Sequence, residues 1–155
     1  MRTPSQTVGP YYLIGLVRRD DSLLANRSDD GSLRLIGALL DGQGTPIADG
    51  MVEIWDGDRW ARSGTDSEGR FSFTVTKPTA RPGETPRFDV FVFARGLLRH
   101  QLTRIYFPDE PNETDPVFAP LSDEERETLL AVAEDGALRF DIRMQGDRAT
   151  VFFEH

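Results

Sequence analysis

Apolar positions along the chain recur every second residue over short stretches, and each stretch ends in glycine, proline or aspartate. That rhythm predicts strands separated by tight turns rather than helices. In Arg70-Phe71-Ser72-Phe73-Thr74-Val75 the alternation is strict, so Phe71, Phe73 and Val75 share one face of a strand and point into a core. Leu33 to Leu40 is an apolar run closed by Asp41-Gly42-Gln43-Gly44, and Met51 to Trp55 follows Pro46-Ile47-Ala48-Asp49-Gly50. These read as two strands joined by a loop. Phe88 to Ala94 is apolar apart from Asp89, the pattern of a strand covered on both faces. Leu97 to Phe107 is predicted to return as its partner, the two forming the centre of a sandwich.

One short helix is expected. Ser122, followed three residues later by Glu125, matches a capping box and predicts a helix from there through about Val132. Leu138 to Met144 and Thr150 to Phe153 then close the chain as strands around Gln145-Gly146-Asp147-Arg148. The first 32 residues lack regular periodicity and read as an extended N-terminal arm on a single domain spanning residues 1–155. The fold class is all-β: an antiparallel or mixed β-sandwich.

Composition narrows the partners. Eighteen basic against 26 acidic residues give a net charge of -8, which argues against nucleic acid, whose phosphates demand clustered cations. The sequence holds no run near the roughly 20 apolar residues of a membrane span, and Met1-Arg2-Thr3-Pro4-Ser5-Gln6 has no apolar signal core, so a cytoplasmic protein is expected. With no cysteine, thiolate nucleophiles and sulfur-based zinc sites are excluded. His100 and His155 are the only imidazoles, too few for a histidine-rich metal centre.

Several residues remain as candidates, each with a structural alternative. In Thr7-Val8-Gly9-Pro10-Tyr11, Gly9 permits close backbone approach to a ligand and Pro10 stiffens it; otherwise the arm simply packs its aromatics on a neighbouring surface. Arg87, Asp89, Phe91, Phe93 and Arg95 share one strand parity, which allows a structural Arg87–Asp89 ion pair. Arg95 precedes Gly96 and would display a planar guanidinium at a loop, suited to gripping a carboxylate with two parallel bonds. His100 reads as a hydrogen-bonded structural residue. Trp55, Trp60, Tyr11, Tyr12 and Tyr106 either line an aromatic pocket or fill the core.

Four segments, Thr3 to Tyr12, Phe93-Ala94-Arg95-Gly96, Leu102 to Phe107, and Arg139 to Gly146 with Thr150 to Phe153, resemble α subunits of the intradiol ring-cleavage dioxygenases. Leu39 to Trp55 and Thr65 to Phe73 are similar to the wider family. The resemblance implies a β-sandwich of the intradiol dioxygenase type and a hetero-oligomer that cleaves protocatechuate with O2 to 3-carboxy-cis,cis-muconate. In catalytic chains of this family two tyrosines and two histidines hold Fe(III). The positions that align here are Trp60, Arg81, Arg87 and Asp89. Indole has no anionic oxygen and arginine is a permanent cation, so this chain is expected to hold no metal and to rely on Fe(III) carried by a homologous β subunit. The resemblance further implies substrate-binding roles for Thr7, Gly9, Pro10 and Arg95, and no catalytic residue on this chain. Two rivals stand beside it: a non-enzymatic β-sandwich module that kept the fold and lost the chemistry, and a free-standing enzyme with another metal site built on Asp89 and His100.

Overall fold

The computed structural model describes every residue except Met1, Pro10, Arg19, Arg27 and His155. In chain order its elements are helix α1 (Tyr12–Leu16), strands β1 (Ser32–Leu40), β2 (Met51–Trp55), β3 (Trp60–Gly64), β4 (Arg70–Thr76), β5 (Arg87–Phe93) and β6 (Gln101–Tyr106), helix α2 (Asp123–Glu127), and strands β7 (Val132–Glu134), β8 (Ala137–Arg139) and β9 (Ile142–Arg143). One sheet has the order β4-β1-β8-β7, with β9 also paired to β1; the other has the order β3-β2-β5-β6. β8 and β9 run parallel to β1 and the remaining strand pairs are antiparallel, which makes the sandwich mixed, as expected. No helix among the described residues is long and apolar enough to cross a membrane.

The core forms where the alternation is strongest. Phe71, Phe73 and Val75 of β4 meet Val52 and Ile54 of β2 and Phe88, Val90 and Val92 of β5 between the sheets, and all are buried. Burial of each large side chain of this kind stabilises the fold by about 1.5–3 kcal/mol.

The arm does more than trail. The segment before β1 lies across the two sheet edges on one side of the sandwich: Arg62 of β3 donates its amide to Asp21, while Leu24 donates to Thr74 of β4 and Thr74 donates to Ser22. Two exposed edges thereby find backbone partners, which removes the hazard of open strands. A single turn of helix, α1, interrupts the segment that was expected to be extended.

Several boundaries depart from expectation. The capping box is present, with Glu125 N–H bonded to Ser122 Oγ and Ser122 N–H bonded to Glu125 Oε2. The helix nevertheless ends at Glu127 rather than near Val132, because residues 129–131 turn to pair with the end of β6: Tyr106 N–H donates to Leu129 and Ala131 N–H to Tyr106. The expected strand Leu138 to Met144 is split into β8 and β9 around Phe140, and Thr150 to Phe153 makes only an isolated bridge from Phe153 to Leu102. β5 buries Phe88, Val90 and Val92 but leaves Phe91 and Phe93 half-buried, so it is covered fully on one face, not both. β6 begins at Gln101, not Leu97, and is a sheet edge rather than a central strand.

β3, β7 and the hairpin that joins β7 to β8 were not expected from the pattern. β3 turns only Ala61 and Ser63 inward, so it carries almost no hydrophobic signal. The hairpin turns at Asp135-Gly136, with φ of 45° and 77°, the left-handed pair that a two-residue turn of this kind requires. That dipeptide was the available cue.

Candidate functional site

Strand β5 presents different chemistry at its two ends. At its start the positions aligned with iron ligands come together. Asp89 lies 3.4 Å from Arg87 Nε, 3.2 Å from Arg104 Nε and 3.7 Å from Arg81 Nη1, and Arg87 also reaches Glu84 at 2.6 Å. The cross-strand register places Asp89 opposite Trp55 and Trp55 opposite Trp60, so Trp60 belongs to the same outer face. The Trp55 and Trp60 rings stack at 6.2 Å, facing outward rather than filling the core.

Glycine at position 57, where φ is 109°, leaves room for Arg81: a Cβ there would come within 2.5 Å of its guanidinium. Arg104 Nη1 also donates to the hydroxyl of buried Tyr106, whose pKa burial pushes up to about 12. The cluster therefore sets Arg81, Arg87 and Arg104 against Glu84 and Asp89, a net positive balance. A ferric ion needs anionic oxygen or neutral imidazole donors, and these residues do not fit it. Arg87 and Asp89 are ion-paired, as their parity allowed.

The second rival is not supported by geometry. Asp89 is ringed by arginines, whereas His100 packs against the rings of Phe91 and Phe93 at 5.3 and 5.4 Å. Asp89 and Phe93 are four residues apart on one strand, about 13 Å at the rise of an antiparallel strand. Among the described residues no group of three or more His, Asp or Glu side chains is placed to hold a metal.

At the far end of β5 the chain turns. Leu97 N–H donates to Ala94, and Gly96 has φ of 90°, which puts Arg95 and Gly96 at the two central positions of a turn that needs glycine second. Arg95 is lifted out of the sheet and its side chain is 60% exposed. Its Nε donates to Asp49, and among the described residues its two Nη groups donate no hydrogen bond. The arm folds onto the same turn: Gly96 N–H donates to Thr7 Oγ1 at 2.9 Å.

Tyr12, at the start of α1, completes the cluster. Its hydroxyl donates to the main-chain oxygen of Asp49, with the oxygen of Phe93 at 3.3 Å. Burial, reinforced by the negative charge of Asp49, pushes its pKa up to about 12, so it stays a neutral donor at physiological pH. A cleft of about 300 Å³ opens beside the turn, lined by Gln6, Val8, Phe93, Leu97, Leu98 and His100. Two larger hollows, of about 880 and 1300 Å³, lie elsewhere, and none of the three is lined by Thr7 or Arg95. Volume alone does not single out a candidate; the displayed guanidinium of Arg95 has the chemistry to grip a carboxylate.

The structure thus brings Thr7 and Arg95 together through Gly96. A Cβ on Gly9 would meet nothing within 4 Å, so the packing of this chain does not itself require glycine there, and the Gly9 carbonyl accepts from Tyr12 N–H. Pro10 lies outside the described residues. Asp49 carries no local motif and escaped the sequence reading, whereas Tyr12 was read only as pocket lining or core and instead bonds the main chain of Asp49. The register could have found Asp49: Met51 pairs with Phe93, and two steps further along the same ladder sets Asp49 opposite Arg95.

No protein-family model matches the chain. A protocatechuate 3,4-dioxygenase alpha chain of Burkholderia cepacia is 35% identical, the alignment covering 99% of this chain and 97% of that one. Another of the same name from Pseudomonas putida is also 35% identical, with 98% and 96% covered. Among solved structures, the dioxygenase domain of a dioxygenase carbohydrate-binding fusion from Streptomyces sp. SirexAA-E superposes with a TM-score of 0.64 at 25% identity, covering 93% of this chain and 98% of that one. Catechol 1,2-dioxygenase from Acinetobacter sp. ADP1 shares the fold at 22% identity, with a TM-score of 0.59 over 78% of this chain and 55% of that one.

Proposed function

The chain belongs to the protocatechuate 3,4-dioxygenase alpha-chain family, and on that premise we propose that it is the iron-free α subunit of a hetero-oligomeric intradiol dioxygenase. The reaction is cleavage of protocatechuate between its hydroxyls, with both atoms of O2 entering the product 3-carboxy-cis,cis-muconate. In this reading a homologous β subunit holds the Fe(III) that makes the catecholate reactive towards O2, and the present chain contributes one wall of the substrate site.

The observation that supports this division is the contrast along β5. At one end the aligned ligand positions are occupied by an arginine cluster that repels a ferric ion. At the other, Arg95 stands exposed in a turn with the arm's Thr7 bound beside it. A substrate carboxylate held by the free Nη groups would be fixed by charge-assisted bonds, which orient the ring so that its hydroxyls point away towards the partner's metal. Thr7, Gly9 and Pro10 of the arm would form the rim of that site, Gly9 allowing the backbone to approach the ring. Residues 1–32 act here as an arm on a single domain, and the assembled enzyme is taken to be cytoplasmic.

Iron partition tests the proposal. The chain purified alone, exposed to ferric ion and passed through gel filtration, is expected to retain iron far below stoichiometric amounts, while iron in the assembled enzyme tracks the partner subunit. Stoichiometric iron on the isolated chain would overturn it.

A further inference from the structure

The guanidinium of Arg95 is not free to point anywhere. Asp49 takes its Nε–H, and the two Nη groups, which donate no hydrogen bond among the described residues, are left on a side chain that is largely exposed. Asp49 is itself fixed. It sits two residues before β2, where continuation of the Met51–Phe93 register sets it across from Arg95, and the Tyr12 hydroxyl bonds its main-chain oxygen while lying 3.3 Å from that of Phe93. One neutral side chain thus ties the loop bearing Asp49 to the strand leading to Arg95.

Resting on the proposed role of Arg95, we propose that Asp49 is a positioning residue that holds the Arg95 Nε–H so that the two Nη groups face an incoming aromatic carboxylate. An arginine side chain has several rotatable bonds, and freezing it only when the ligand arrives weakens binding. A bond to Nε made beforehand removes part of that cost without occupying the edge that grips two carboxylate oxygens. Asp49 touches neither the substrate nor the reacting atoms and acts through Arg95.

The test uses the assembled α/β enzyme carrying Asp49→Asn, Asp49→Ala or Arg95→Ala in this chain, with kcat and KM measured on protocatechuate and on catechol, which lacks the carboxylate. In parallel, exchange of the Arg95 Nε–H with solvent is followed by nitrogen-15 NMR on the isolated chain. Asp49→Ala is expected to raise KM for protocatechuate about fivefold, to leave kcat and both catechol constants unchanged, and to speed Nε–H exchange. Asp49→Asn keeps a neutral acceptor and is expected to fall between Asp49→Ala and the parent. If Arg95→Ala raises KM while Asp49→Ala does not, the positioning role is wrong and the role of Arg95 stands. A lower KM in Asp49→Ala would show Asp49 to be a competitor for the guanidinium and likewise overturn the inference. Equal losses on both substrates would make Asp49 a structural residue. If Arg95→Ala also leaves KM unchanged, both readings fall together.

Discussion

Replacing Arg95 by alanine in the assembled enzyme is expected to raise KM for protocatechuate about ten- to a hundredfold while leaving turnover of catechol within about twofold. The magnitude follows from the bond lost: hydrogen bonds to a charged group contribute about 1.5–3 kcal/mol, and each 1.4 kcal/mol is about a factor of ten. The exposed setting of Arg95 in the free chain places the expectation at the lower end unless the partner closes over it. The substrate comparison separates binding from folding. Catechol offers no carboxylate, so an anchoring Arg95 has nothing to hold in it. A structural Arg95, needed to pin Asp49 or the arm, would lower activity on both substrates by similar factors. Steady-state kinetics on the two substrates decide between them.

The second large effect concerns stability and the other end of β5. Asp89→Ala is expected to destabilise the isolated chain by about 3 kcal/mol, because the change leaves Arg81, Arg87 and Arg104 facing one another with only Glu84 to oppose them. The Arg87 side chain is only 5% exposed and cannot recover the loss by turning to water. For a chain of this size about 3 kcal/mol lowers Tm by roughly 6–12 °C. Removing a cation as well, in Asp89→Ala with Arg104→Ala, is expected to return part of the loss, since the repulsion then has fewer members. Thermal unfolding followed by circular dichroism reads both. A loss below about 1 kcal/mol in the single variant would mean that the cluster is solvated and has little structural weight.

Part of the site is legible in the sequence alone. Its place at the end of an apolar strand just before Gly96 made Arg95 a candidate, but surface arginines are common, and its specific role came from the resemblance. Phe71, Phe73 and Val75 were legible as core because period two over a strand admits one geometry. Trp60, Arg81, Arg87 and Asp89 were placed by resemblance, and the fold brings them to one outer face. What stayed hidden was long-range. Asp49 and Arg95 are 46 residues apart, and their meeting depends on the β2–β5 register, which no local pattern encodes. The early end of α2 has the same origin. Its capping box fixes where the helix starts, whereas its end is set by competition from the edge of β6 for the backbone of residues 129–131. β3 was invisible because its inward residues are Ala61 and Ser63, and its place is fixed by pairing with β2.

In the proposed division of labour this chain supplies substrate recognition and its partner supplies the iron. The most direct measurement is protocatechuate-dependent oxygen uptake by the chain purified alone and supplied with iron, compared at equal protein with the same chain assembled with an iron-loaded homologous β subunit. Uptake is expected only in the assembled sample. Robust uptake by the isolated chain, free of any partner, would contradict it.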